Sequence, residues 1–256
     1  MGWRGELIKE EAMPLWNVAA AQYGARPGDL QANISHHLQF IHQAAAEKID
    51  LLIFPELSLT GFQPEQHISL ALHFSDERLT PIQDAAVEFQ MTIVVGMLLL
   101  CDECVSIGSV GFLPDGSRVS CCKPKSCSDN VVHEQHTPLV GKHNRSVAMG
   151  HCGASNEEIW PRTAAALGAD LYATGTFVNE ANCQHDEMYL QRWAHKYNLP
   201  VLFANHAFST GPHRTAGRSA CWDSLGQLVV RADHGELLAV GRRDEKGWHG
   251  EIIPLR

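Results

Sequence analysis

A chain of 256 residues has room for one large or two small domains, and a makeup of 45% hydrophobic and 19% charged residues, with no low-complexity tract, can build a sizeable core. The formal net charge of −9 comes with no basic stripe, which argues against a nucleic-acid or anionic-membrane partner. The longest apolar run, residues 92–100, falls well short of the ~20 residues that span a bilayer.

Residues 1–14 are charged and aperiodic and read as an N-terminal extension; residues 15–256 read as one domain. Residues 15–22 form a short apolar run closed by Gly24, Pro27 and Gly28, the pattern of a buried strand and a turn. Asp29 then caps a helix over 30–48 with Leu30, Ile34, Leu38 and Ile41 at helical spacing. The unbroken run 51–54 predicts a strand covered on both faces, which ends at Pro55-Glu56. A helical pattern over 80–90 with Pro81 in its first turn leads into a third buried strand, 92–100. Residues 110–113 and 118–123 read as a hairpin about Pro114-Asp115-Gly116-Ser117.

The stretch 125–145 has no periodicity and is too long for an incidental loop, so it is a candidate site-forming segment. Beyond it an apolar strand runs into Cys152, followed by a helix over 159–167. Then come a strand at 171–174, a helix at 186–196, a strand at 201–204, a hairpin from 219–222 and 228–231, and strands at 237–240 and 251–255. Strand and helix alternate in two similar passes with no linker between them, which predicts one α/β domain.

Three reactive residues follow strand ends: Glu56 in FPELSLTGF, Lys123 in VSCCKPK and Cys152 in VAMGHCGAS. Together they make a device for acyl transfer. The carboxylate moves protons, the thiolate attacks a carbonyl carbon, and the ammonium with a backbone N–H near Gly153 stabilises the oxyanion. A thiol between a strand end and a helix N-terminus is also favoured as thiolate. Each residue has a plainer reading: Cys152 as a small buried apolar side chain, Glu56 as a solvated loop carboxylate, Lys123 as a charge guarding a sheet edge.

At these residues, and over most of the chain from about Trp16 to Val240, the sequence resembles the nitrilase, or carbon-nitrogen hydrolase, superfamily. Its AAAQ strand, FPELSLTGF, MGHC, WPRTAAALGADLYATG and ANHAFSTGPHRTAGRSACWDSLGQL carry the resemblance, and the last is similar to the closing region of bacterial stand-alone amidases. The resemblance implies an αββα sandwich and a cofactor-free Glu-Lys-Cys triad on Glu56, Lys123 and Cys152. It also implies a second glutamate after the lysine, matched by Glu134 in HEQHTP, and a pocket wall near Phe177. A small-molecule amide substrate and a homodimer, with the helix at 159–167 as a contact, belong to the same expectation. The match departs from the family at the lysine, where Cys121-Cys122-Lys123-Pro124-Lys125 leaves Lys125 as a competitor, and at Ala154, where an aspartate is common.

Eight cysteines in a chain whose first residues lack an apolar signal core point to the reducing cytoplasm and free thiols. Cys101-x-x-Cys104 with Cys121-Cys122 has the ingredients of a zinc site, but adjacent cysteines on one strand turn their thiols to opposite faces, so no metal is expected. His133 and His136 fall in the candidate site loop and read as substrate contacts or as solvated side chains.

Overall fold

The computed structural model describes residues 15–62, 67–101, 104–122, 138–141, 144–150, 155–209 and 214–256. The N-terminal extension expected over 1–14 lies outside the described residues.

The first pass of the chain runs β1 (Trp16–Gln22), α1 (Leu30–Ala46), β2 (Leu51–Ile53), α2 (His67–Leu70), α3 (Thr80–Glu88), β3 (Thr92–Cys101), β4 (Cys104–Phe112) and β5 (Arg118–Cys122). The second runs β6 (Leu139–Val140), β7 (Ser146–Met149), α4 (Ile159–Ala166), β8 (Leu171–Gly175), α5 (Cys183–Tyr197), β9 (Val201–Ala204), β10 (Ala220–Trp222), β11 (Leu228–Arg231), β12 (Leu237–Asp244) and β13 (Gly247–Pro254). They build a seven-stranded sheet in the order β13-β12-β1-β2-β3-β4-β5 and a six-stranded sheet in the order β11-β10-β9-β8-β7-β6.

Strand alternation divides the apolar residues among three layers. In β1, Val18 and Ala20 pack between the sheets while Ala19 and Ala21 pack beneath α1 and α3. Leu51 and Ile53 of β2 join the first group, Leu52 and the adjoining Phe54 the second. In the other sheet, Leu171, Ala173, Leu202 and Ala204 face inward, and Tyr172, Val201 and Phe203 meet α4 and α5. Two sheets clad outside by helices form the expected αββα sandwich. Among the inner strands, β2 and β9 are apolar without interruption because both faces are covered.

The helices start and stop where the sequence directs. Asp29 accepts a hydrogen bond from the Ala32 amide at 3.0 Å, and α1 buries Ile34, Phe40, Ile41 and Ala44. Pro81 lies in the first turn of α3, and Asn198, at φ +49°, closes α5. Among the described residues no helix is long and apolar enough to cross a membrane.

Two elements differ from the sequence reading. β4 begins at Cys104 and pairs with β3 from Ile93↔Phe112 to Cys101↔Cys104, so the short hairpin strand is the last third of a long one. The strands expected at 237–240 and 251–255 extend toward each other into a hairpin from Leu237↔Pro254 to Asp244↔Gly247. In both cases glycine, serine and charged residues mask the period-two signal, and the pairing partner supplies the missing specification.

Candidate active site

The direction of the strands decides which residues meet. β1, β2 and β3 run parallel, and β5, two antiparallel steps from β3, runs the same way. β7, β8 and β9 are parallel to each other in the second sheet. A parallel bridge between Tyr23 and His206 joins the end of β1 to the end of β9, so both sheets point their carboxyl ends in one direction. Sites in α/β sheets gather outside such ends. Register then sets the level: Ile53 pairs with Val94, and Gly96, Ser109 and Cys121 form one row across β3, β4 and β5, abreast of Pro55-Glu56.

Glu56 opens a tight turn held from three sides. Phe54 donates its amide to the Val94 carbonyl at 2.8 Å, Ser58 donates to Pro55 at 3.2 Å, and Leu59 donates to Gly96 at 3.0 Å. Leu57 is buried with φ +55°, a left-handed conformation that is strained for a branched side chain and is sustained by its surroundings. Gly96 permits this: a Cβ there would lie 2.3 Å from the Pro55 oxygen and 2.8 Å from the Glu56 Cα. From the opposite sheet Gly175 makes a similar approach, its Cβ position lying 2.3 Å from the Phe54 oxygen. The sheets are thus in backbone contact beside Glu56.

Buried polar groups fix the turn further. His37 on α1 contacts Ser58 Oγ through Nε2 at 3.0 Å and the Asn33 carbonyl through Nδ1 at 2.7 Å, and burial pushes its pKa down to about 3. The neutral ring therefore donates to Asn33 and accepts from the serine. Asn33 donates to the Leu59 carbonyl at 2.9 Å and accepts from the Arg26 amide at 2.8 Å. On the other sheet His206 Nε2 lies 2.6 Å from the Glu56 carbonyl oxygen.

Phe177 lies two residues past Gly175. Its ring is 6.5 Å from Phe62, in the loop following Glu56, and 5.9 Å from His206. The loop carrying Phe177 is anchored by Asn205, a fully buried side chain that accepts from the Val178 and His206 amides and donates to the Val178 and Gly217 carbonyls. Glu56 and Phe177, expected in one site, are brought to the same end of the sandwich.

A small cavity between the sheets is lined by Glu56, Gly96, Ser109, Met149, Gly150 and Gly175. Gly150 continues β7, donating to the Ala173 carbonyl at 2.7 Å, and immediately precedes residues 151–154. Lys123, Lys125, Glu134, Cys152 and Gly153, together with His133 and His136, lie outside the described residues. The strands that lead to Lys123 and Cys152 are described, and both end on the side that holds Glu56. α4 begins at Ile159, so the segment from Ser155 to Glu158 separates Cys152 from the helix N-terminus. Ser155 is itself pinned, its hydroxyl to Asp186 and its carbonyl to the Trp193 indole N–H at 2.9 Å.

A larger cavity of about 320 Å³ borders the first at Met149 and lies between β5 and α4, lined by Arg118, Val119, Cys121, Trp160 and Ala164. Arg118 there is committed to the Phe74 and Asp76 carbonyls, and no carboxylate is among the described residues that line the space. Sequence reasoning did not identify His206, Asn205 or the glycines at 96, 150 and 175. The signal available was polar and glycine residues set at the carboxyl ends of buried strands.

The profile of the carbon-nitrogen hydrolase family matches residues 17–248. A glutamine-dependent NAD(+) synthetase of Thermotoga maritima is 25% identical over 255 residues, covering 93% of this chain and 41% of that protein, so the chain spans about two fifths of that relative's length. Among solved structures, Nit3 of Saccharomyces cerevisiae, a member of branch 10 of the nitrilase superfamily, superposes with a TM-score of 0.80 at 18% identity, over 92% of each chain. The amidase from Nesterenkonia sp. AN1, in a mutant form with the acetamide moiety of fluoroacetamide added covalently at the active site cysteine, gives 0.78 at 20% identity, over 90% of this chain and 91% of that one.

Proposed function

This chain belongs to the carbon-nitrogen hydrolase family, and from that premise we propose that it hydrolyses a small amide through a thioester on Cys152. Glu56 takes the thiol proton, and the thiolate attacks the amide carbonyl carbon. Lys123 and a backbone N–H near Gly153 hold the oxyanion. The C–N bond breaks as ammonia or an amine leaves with the proton from Glu56. A water deprotonated by Glu56 then attacks the thioester, releasing the acid and returning the thiol. Glu134 supports Lys123 and orients the substrate, and Phe177 walls the pocket.

The observation that carries this reading is the convergence of β2, β5 and β7. Their carboxyl ends lie on one side of the sandwich, and Glu56, Lys123 and Cys152 follow them in the chain. The site is cofactor-free and metal-free in this account, and its substrate is a primary amide or an N-carbamoyl compound. The protein works in the reducing cytoplasm as a homodimer, with no nucleic-acid or membrane partner. Ile159 and Leu167, exposed at the two ends of α4, support that helix as the contact.

The Thermotoga relative favours a second reading within the same chemistry, in which the amide is the side-chain carboxamide of glutamine. Ammonia release over a panel of glutamine, small aliphatic amides, N-carbamoyl amino acids and matched nitriles tests both. Turnover of amides above nitriles supports the amidase, glutamine alone supports the second reading, and no turnover of any member favours a catalytically silent scaffold.

A further inference from the structure

We infer that His206 is a positioning residue for Glu56, one that fixes the carboxylate's backbone from the opposite sheet; its catalytic consequence rests on the amidase reading above. His206 follows β9 and lies 150 residues from Glu56 in sequence, yet its Nε2 is 2.6 Å from the Glu56 carbonyl oxygen. A carbonyl only accepts, so Nε2 carries the proton and donates. The imidazole is fully buried and burial pushes its pKa down to about 4, so at neutral pH it holds a single proton, at the nitrogen facing Glu56.

Packing alone does not account for an imidazole here. Burying a polar ring costs free energy that an apolar side chain of similar size avoids, and the hydrogen bond to Glu56 is the return. The donor is itself held still. Its own amide is bonded to Asn205 Oδ1 at 2.9 Å, and Asn205 is locked to Val178 and Gly217. The next residue, Ala207, donates to the Tyr23 carbonyl at 2.9 Å.

His206 thus joins the Glu56 turn to the strand end beside Phe177. Leu57 at φ +55° shows why such a tie is needed: the turn is strained, and releasing one end lets it relax toward an ordinary conformation. A shift of about 1 Å in a general base costs about a hundredfold in rate with little effect on substrate binding.

Glutamine and methionine are equally long and unbranched, and only glutamine keeps a donor near the position of Nε2. His206→Gln is expected to keep kcat within about threefold of wild type, while His206→Met lowers it about ten- to hundredfold with KM changed less than about threefold. Hydrogen exchange reads the same tie without catalysis. The amides of Ser58, Leu59, Thr60 and Gly61, bonded to Pro55, Gly96 and Leu57 carbonyls, should exchange faster in His206→Met and as in wild type in His206→Gln. In the unaltered protein, imidazole nitrogen shifts should report the Nε2-protonated tautomer at pH 7. Equal kcat in the two variants, unchanged exchange in His206→Met, or the Nδ1-protonated tautomer would each overturn the inference. If wild type hydrolyses no amide, the functional reading fails, and exchange and tautomer still decide whether His206 holds the turn.

Discussion

The phenol of Tyr172 lies directly against the α-carbon of Gly150: a Cβ at residue 150 would fall 2.3 Å from the tyrosine oxygen and 2.7 Å from Cζ. Tyr172 is 2% exposed, on the helix-facing side of β8, and Gly150 is the last described residue before the segment holding Cys152. The end of β7 therefore has its position set by a neighbouring ring as well as by its ladder.

Gly150→Ala is accordingly expected to lower stability by about 1–3 kcal/mol through overpacking. Tyr172→Phe removes one of the two clashing atoms, so the double variant should lose less than the sum of the single variants. Urea unfolding midpoints check this, and strict additivity would show that the two residues do not meet.

Asn205→Ala should cost at least about 3 kcal/mol, because it strips partners from the Val178 amide and from the Val178 and Gly217 carbonyls inside the fold. Asn205→Asp keeps the acceptor but sets a buried carboxylate oxygen against the Val178 and Gly217 carbonyls, so thermal unfolding at pH 7 should place it no higher than alanine. An alanine variant as stable as wild type would contradict the anchoring role.

Stability should fall as pH drops below about 6.5. His37 and His206 have folded pKa values pushed down by burial, to about 3 and about 4, so the unfolded chain binds more protons than the native one from the usual histidine value down to those values. Their contribution is fully present above about 6.5 and is lost as pH falls. His36 works in the opposite sense: its contact with Glu236 raises its pKa, and its contribution is present below the usual value and lost as pH rises through the folded one. With two groups against one among the described residues, denaturant unfolding at pH 7, 6 and 5 should show declining stability, and His206→Gln should flatten the decline. A profile flat over that range would contradict the assignment of both rings as neutral.

The layers of this fold were legible because some inner strands are short apolar runs with a proline at one end, such as 51–54 before Pro55 and 201–204 after Pro200. The end-of-strand position of Glu56 was legible for the same reason, and so was Asp29 as a cap. What escaped the sequence was contact across the sandwich. His206 and Glu56 are 150 residues apart, and nothing local to either announces the other. Gly96 reads as an interruption of an apolar strand until the Pro55-Glu56 turn is laid against it. The first two thirds of β4 were missed because Ser106, Gly108 and Ser109 break the apolar pattern, while β3 beside it supplies nine register pairs.

Of the two lysines, Lys123 directly follows β5 and Lys125 comes two residues later. Val119 packs between the sheets, and alternation carried one residue past Cys122 would give 123 the same side, whereas Lys125 follows Pro124, which cannot extend the ladder. Lys123→Ala should lower kcat by at least about a hundredfold and Lys125→Ala only modestly. The reverse pattern in steady-state kinetics would move the oxyanion role to Lys125.

The most direct test of the account is the turnover of Cys152→Ala beside wild type on an amide the wild type hydrolyses. Loss of the nucleophile should reduce ammonia release by at least about ten-thousandfold with the thermal unfolding transition preserved. An alanine variant that still turned the amide over within tenfold of wild type would contradict the thioester mechanism and the assignment of Cys152.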